Sequence, residues 1–222
     1  MASSYVLTGA RLADIGSDHA YLRCHLAKQG RVEFAIAGEV AIGPFSAAVK
    51  QIKTFQVEER VVARLGDGLA VIEKEDQIDT VTICGMGGDL ITRILDTGQA
   101  ASKLETIQRL ILQANNAEPN LRLWLMKNGY QIINEEIFEE NEKIYELIVA
   151  SPSETEVTYD DADLIFGNHL RQEKNDIFMK KWRKELKTYY FILDSLKHSQ
   201  QNITEKKKDV ERMIAIIEEE IL

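Results

Sequence analysis

Five short segments hold the residues that could grip a ligand: Asp14-Ile-Gly-Ser-Asp-His-Ala-Tyr-Leu22, Glu39, Gly66-Asp67-Gly68, Gly85-Met86-Gly87-Gly88 and Gln113-Ala-Asn-Asn116. In the first, which opens on Asp14, Gly16 lets the backbone turn sharply and approach a ligand closely. Ser17 and Asp18 can cap a following helix, and His19 can accept a proton at a cleft mouth. Only one glycine stands where GxGxxG would place three, so the pyrophosphate cradle of a dinucleotide site is missing. Glu39, 23 residues after Gly16, suits the two hydroxyl hydrogens of an adenosine ribose. Asp67, with Gly68 beside it, can accept from an adenine amino group. Gly85, Met86 and Gly87 offer backbone amides and carbonyls, and the amide side chain of Asn115 suits the edge of a nucleobase. Each segment alone also reads as a turn, a strand-end acid or a helix cap. Their joint placement points to a nucleoside-type cofactor.

That placement comes from the elements around them. Apolar runs at Arg11–Ile15, Phe34–Val40, Val61–Leu65, Thr80–Cys84 and Arg109–Gln113 read as strands. Helical patterns follow at Tyr21–Gln29, Pro44–Phe55, Gly88 to about Leu95, and Pro119–Asn128, the last stopping at Gly129. This alternation predicts a doubly wound parallel α/β sheet, which binds ligands at the carboxyl ends of its strands. Tyr130–Phe138 and Ile144–Ala150 are then joined only by Glu139–Lys143, too short for a parallel crossover, so they form an antiparallel hairpin. A parallel sheet ending in such a hairpin resembles the Rossmann-like methyltransferases that use S-adenosylmethionine. Nicotinamide-binding Rossmann domains lack that ending.

A Rossmann-like domain over residues 1–152 gives way to a helical, coiled-coil-like domain over 153–222. Leu170, Ile177, Phe178, Trp182, Leu186, Tyr189, Leu193 and Leu196 recur at helical spacing, which predicts one helix of roughly 28 residues, roughly 40 Å long. Asn202 with Glu205 looks like a capping box, and the stripe from Ile203 to Ile221 completes a helical hairpin. The net charge is −9, yet Asn168–Arg212 carries 12 basic against 7 acidic residues. Lys180, Lys181, Arg183, Lys184 and Lys187 in that tail are candidate contacts for RNA phosphates. A solvated helix face accounts for the same charges.

Some functions are excluded. Cys24 and Cys84 show no CxxC spacing, and neither His169 nor His198 has neighbours at metal-ligand spacing, so no metal is expected. No apolar run approaches the ~20 residues of a membrane span, and no basic region precedes an apolar one at the start. A cytoplasmic protein without a membrane partner is the expectation.

The motifs together resemble the bacterial tRNA (adenine-22-N1)-methyltransferase family, TrmK. They are Leu12-Ala-Asp-Ile-Gly-Ser-Asp-His-Ala-Tyr-Leu22, Ala35-Ile-Ala-Gly-Glu-Val40 with Gly43-Pro44, and Arg64-Leu-Gly-Asp-Gly-Leu69. Gly85-Met-Gly-Gly88, Leu110-Ile-Leu-Gln113 with Asn115-Asn116, and Leu121-Arg-Leu-Trp-Leu125 follow in the same order. The family pattern has Pro where this chain has Arg23, and Gln-Pro-Asn where it has Gln113-Ala114-Asn115. The resemblance implies S-adenosyl-L-methionine as cofactor, tRNA as partner and methyl transfer to N1 of adenine 22. Asp14, Gly16, Ser17, His19, Glu39, Asp67, Gly68 and Gly85 would bind the cofactor. Gly85, Met86, Gly87 and Asn115 would position the base, with no obligatory nucleophile. A nicotinamide-dependent oxidoreductase and a non-catalytic RNA-binding protein are the alternatives.

Overall fold

The computed structural model describes residues 2–16, 21–197 and 204–222. Its strands are β1 (Ala10–Ile15), β2 (Val32–Glu39), β3 (Val61–Leu65), β4 (Thr80–Met86), β5 (Arg109–Ala114), β6 (Tyr130–Glu140) and β7 (Lys143–Pro152). They form a single sheet in the order β3-β2-β1-β4-β5-β7-β6. The first five are parallel, and β7 lies antiparallel between β5 and β6. Strands buried on both faces read as near-continuous apolar runs, which is why Phe34–Gly38 carries no polar side chain.

Helices α1 (Tyr21–Lys28) and α2 (Ile42–Phe55) cover one face, where Leu26, Ala48 and Ile52 pack on Leu12 and Ala35. Helices α3 (Gly88–Ala100) and α4 (Glu118–Lys127) cover the other, where Ile91, Leu95, Leu121 and Leu125 pack on Ile36, Val81 and Leu110. Strand order reverses between β1 and β4, and that reversal opens a crevice at the carboxyl ends of the strands. The predicted hairpin is present and tighter than expected. Asn141 (φ +50°) and Glu142 (φ +63°) turn the chain, the conformation that a two-residue I′ connection requires.

The first helix of the expected hairpin is broken, and further short helices precede it. The tail consists of α5 (Asp161–Phe166), α6 (Asn168–Glu173), α7 (Asp176–Lys197) and α8 (Thr204–Ile221). The break falls at Lys174, which takes φ +46°, and the Asn175 side chain accepts from the N–H groups of Ile177 and Phe178. α7 alone, 22 residues, spans about 33 Å. Asn202, half of the expected capping box, lies outside the described residues.

Phe166, Leu170, Phe178, Trp182 and Ile217 form the tail's core together with Ile137 of β6. Phe166 meets Trp182 edge to face at 4.5 Å. A buried ionic cluster adds to this docking. Arg122 of α4 donates to Glu135 (2.7 Å) and Glu146 (2.5 Å) on the hairpin, and to the carbonyls of Leu164 and Ile165 at the end of α5. Gly167 stands against this cluster because a Cβ there would lie 2.7 Å from Arg122 Nη2. On the outer edge of β6, the Ile132 N–H donates to Tyr159 Oη (2.9 Å), and His169 Nε2 lies 3.2 Å from the Ile132 carbonyl. Among the described residues no helix is long and apolar enough to cross a membrane, and no group of three His, Cys, Asp or Glu side chains could hold a metal.

Candidate functional site

The carboxyl ends of β1, β2, β4 and β5 bring the sequence-predicted segments to one edge, but they do not present them equally. Asp14 is the first correction. It has no accessible surface, its Oδ1 accepts from Thr82 Oγ1 (2.6 Å) and its Oδ2 from Arg23 Nη1 (2.6 Å). A carboxylate so enclosed presents no surface to the crevice; it ties β1 to β4 and α1. Gly16 follows with φ +63°, and a Cβ there would lie 2.0 Å from Met86 Cε. The glycine is what lets the β1 and β4 loops close on each other. Ser17 and His19 lie outside the described residues.

Glu39 is the last residue of β2 and is 5 % exposed. Arg23 Nη2 reaches its Oε1 at 3.5 Å. Asp67 is exposed and precedes the short 3-10 turn at Gly68–Val71 without capping it by its side chain. Gly68 takes φ +52° against Ile94 of α3. Two carboxylates thus stand at neighbouring strand ends, one partly enclosed and one open. That is the donor–acceptor arrangement an adenosine would need: acceptors for ribose hydroxyls and for an exocyclic amine.

The loop at the end of β4 is built around Gly85. The parallel register between β4 and β5 shifts between Cys84 and Met86, leaving Gly85 bulged out with φ +78°. Gln113 Oε1 accepts from its N–H (2.8 Å), and Asn115 Nδ2 donates to its carbonyl (2.8 Å). Gln113 Nε2 also donates to Asn115 Oδ1 (3.1 Å), so the two amides brace each other. A Cβ on Gly85 would meet no atom within 4 Å. The glycine is therefore required by its backbone conformation, and its open face can receive a flat ligand. Gly88 packs so closely on the loop after β5 that a Cβ would lie 2.6 Å from the Ala117 carbonyl. Burial and the Asp14 carboxylate push the Cys84 thiol up to about 12, so the cysteine beside this loop is no nucleophile at neutral pH. Gln113, which the sequence offers only within its ligand-gripping segment, and Arg23, to which it gives no site role, are the two side chains that hold this edge together. Their signals were an amide pair flanking one residue, and a cation on the apolar face of α1.

Residues 12–219 match the family model for tRNA (adenine(22)-N(1))-methyltransferase, TrmK. The Bacillus subtilis tRNA (adenine(22)-N(1))-methyltransferase is 40% identical over 218 residues, covering 95% of this chain and 90% of that protein. The chain belongs to the TrmK family. An uncharacterized protein of Listeria monocytogenes superposes with a TM-score of 0.95 at 44% identity, over 100% of this chain and 96% of that one. A candidate tRNA (m1A22) methyltransferase of Streptococcus pneumoniae, in complex with S-adenosyl-L-methionine, superposes with a TM-score of 0.89 at 39% identity, again over 100% and 96%.

The basic cluster in the tail of this TrmK-family chain, read from the sequence as five candidate RNA contacts, divides in two. Lys180 is paired with Glu139 (2.7 Å). Lys181 turns inward between Glu118 (3.0 Å) and Glu146 (2.6 Å). Burial alone would depress its pKa, but the Glu146 and Glu118 carboxylates outweigh burial and hold the ammonium above its ordinary value. Both lysines are therefore already committed to carboxylates. Arg183, Lys184 and Lys187 are exposed and make no ion pair among the described residues. A cavity of about 590 Å³ is lined by Lys184 and Tyr189 of α7 and by Asn115, Asn116 and Pro119 beyond β5.

Proposed function

We propose that this protein transfers a methyl group from S-adenosyl-L-methionine to N1 of adenine 22 in tRNA, acting in the cytoplasm. The observation that supports this best is the similarity along nearly the whole chain, which takes in the strand-end segments and the helical tail together. S-Adenosylmethionine, when bound, supplies a methyl group activated by its sulfonium.

Glu39 would accept from the ribose hydroxyls, Asp67 from the adenine amine, and Gly16, Gly68 and Gly85 would give the backbone clearance. Adenine N1 carries an available lone pair at neutral pH, so the chain has to align the base more than activate it. Gln113 and Asn115 hold Gly85 rigid, and Gly85, Met86 and Gly87 present the surface on which the target base lies. The base must leave its stack to reach that surface. Arg183, Lys184 and Lys187 would hold phosphates on the tail while the base is displaced.

The test is methylation of an unmodified tRNA transcript by the full chain, read by mass spectrometry of nucleosides. The expected product is 1-methyladenosine at position 22 only. A transcript carrying guanine at position 22 should gain no methyl group. Labelling elsewhere with equal yield would refute the position assignment.

A further inference from the structure

The cofactor edge contains a cation that alignment of an adenine does not require. Arg23 sits on α1, whose other inward side chains, Cys24, Leu26 and Ala27, pack as hydrophobes, yet its own side chain is wholly buried. An aliphatic residue would fasten α1 to the sheet without the desolvation penalty that a buried guanidinium carries. That penalty is offset by two carboxylates from adjacent strands, Asp14 of β1 and Glu39 of β2.

The two contacts differ in kind. Asp14 is a tether: Thr82 of β4 holds its Oδ1, its Oδ2 meets Arg23 Nη1 at 2.6 Å, and its backbone carbonyl accepts from the same nitrogen at 3.2 Å. These bonds fix where the planar guanidinium lies. Its other nitrogen, Nη2, then faces Glu39 Oε1 at 3.5 Å. A carboxylate offers about four acceptor sites, and this contact gives one Glu39 oxygen a fixed direction toward the guanidinium.

We propose that Arg23 is the positioning residue of the cofactor site: its guanidinium, tethered by Asp14 and Thr82, sets the orientation in which Glu39 receives the ribose hydroxyls. This rests on the reading of Glu39 as the ribose acceptor. It places the decisive support on a residue that the family pattern does not contain. It also gives the enclosed Asp14 a role at one remove from the ligand.

A residue that only fastens α1 and one that positions Glu39 differ in their coupling to Glu39. Calorimetric titration of the full-length protein with S-adenosylmethionine, well below each variant's thermal midpoint, measures that coupling in a cycle of Arg23→Met, Glu39→Gln and the double variant. Each single substitution should weaken binding about tenfold, the scale of one charge-assisted hydrogen bond. In the Arg23→Met background, Glu39→Gln should cost less than about threefold more, since an unpositioned acceptor has little left to lose. Arg23→Lys should fall between wild type and Arg23→Met, because an ammonium lacks the rigid planar fork that fixes the direction of the second contact. If Arg23→Met does not fold, the same cycle runs on Arg23→Lys. Equal losses from Glu39→Gln in both backgrounds would overturn the proposal, as would unchanged affinity in a folded Arg23 variant. Unchanged affinity in Glu39→Gln alone would instead remove the reading of Glu39 on which it rests.

Discussion

Among the described residues two guanidiniums are fully buried, each against two carboxylates, and they serve opposite ends. Arg122 is closed in by Glu135, Glu146 and the carbonyls at the end of α5, and Lys181 adds a second cation to Glu146. Arg23 meets Asp14 tightly and Glu39 loosely, and Glu39 lies at the crevice. The same pairing chemistry therefore builds a joint in one place and the rim of a ligand site in the other. What separates them is whether the second carboxylate is held at 2.5 Å or 3.5 Å. The joint is tight on both sides, whereas the rim is tight only toward Asp14.

The contrast between joint and rim meets its severest trial on the joint side. Arg122→Met leaves Glu135 and Glu146 buried without their shared cation, which should destabilise the protein by about 3–5 kcal/mol. Urea unfolding followed by tryptophan fluorescence measures it, and the fraction still folded should bind S-adenosylmethionine normally. On the rim side, Glu39→Ala should weaken S-adenosylmethionine by about 1.5–3 kcal/mol while moving the urea midpoint little. A large stability loss with intact affinity would reverse the two roles.

The tail charges extend the contrast to RNA. Reversing Arg183, Lys184 and Lys187 to Glu should lower tRNA affinity and flatten its salt dependence by about one unit of slope for every phosphate no longer neutralised. Lys181→Met should leave that slope alone and shift the unfolding midpoint, because this lysine serves the joint.

The smallest expected effect is on acid stability. Burial would raise the Glu146 pKa, but Arg122 and Lys181 hold it below the ordinary value. Its contribution is then complete above the unfolded glutamate value of about 4.3 and is lost as pH falls through the lower folded value. Unfolding free energy measured from pH 6 to pH 3 should drop more steeply in the wild type than in Glu146→Gln.

Much of this was legible in sequence because it depends on local pattern. Apolar runs ending in Gly, an acid or an amide placed β1 to β5 and their loops, and the short connector between Tyr130–Phe138 and Ile144–Ala150 dictated the hairpin. Glu39 and Asp67 followed from their places at strand ends. The break at Lys174 did not, since Leu170 and Ile177 are seven apart and keep the helical stripe running across it. Asp14 was misjudged for another reason. Its enclosure depends on Thr82, 68 residues away, and on an arginine whose direction no spacing reveals. Lys180 and Lys181 were likewise committed to acids 35 to 63 residues distant.

The covering of Ile132 has a consequence for how the chain can be cut. β6 is the last strand of the sheet, 11 residues long, and a bare strand of that length is a template for pairing with another chain. Tyr159 takes its N–H and His169 lies on its carbonyl, both contributed by the segment that follows the sheet. A version ending near residue 152 would keep every strand, yet it would expose the outer edge of β6 and the apolar side chain of Ile137. Such a truncation should associate edge to edge, so the tail acts as a guard against self-association as well as an arm.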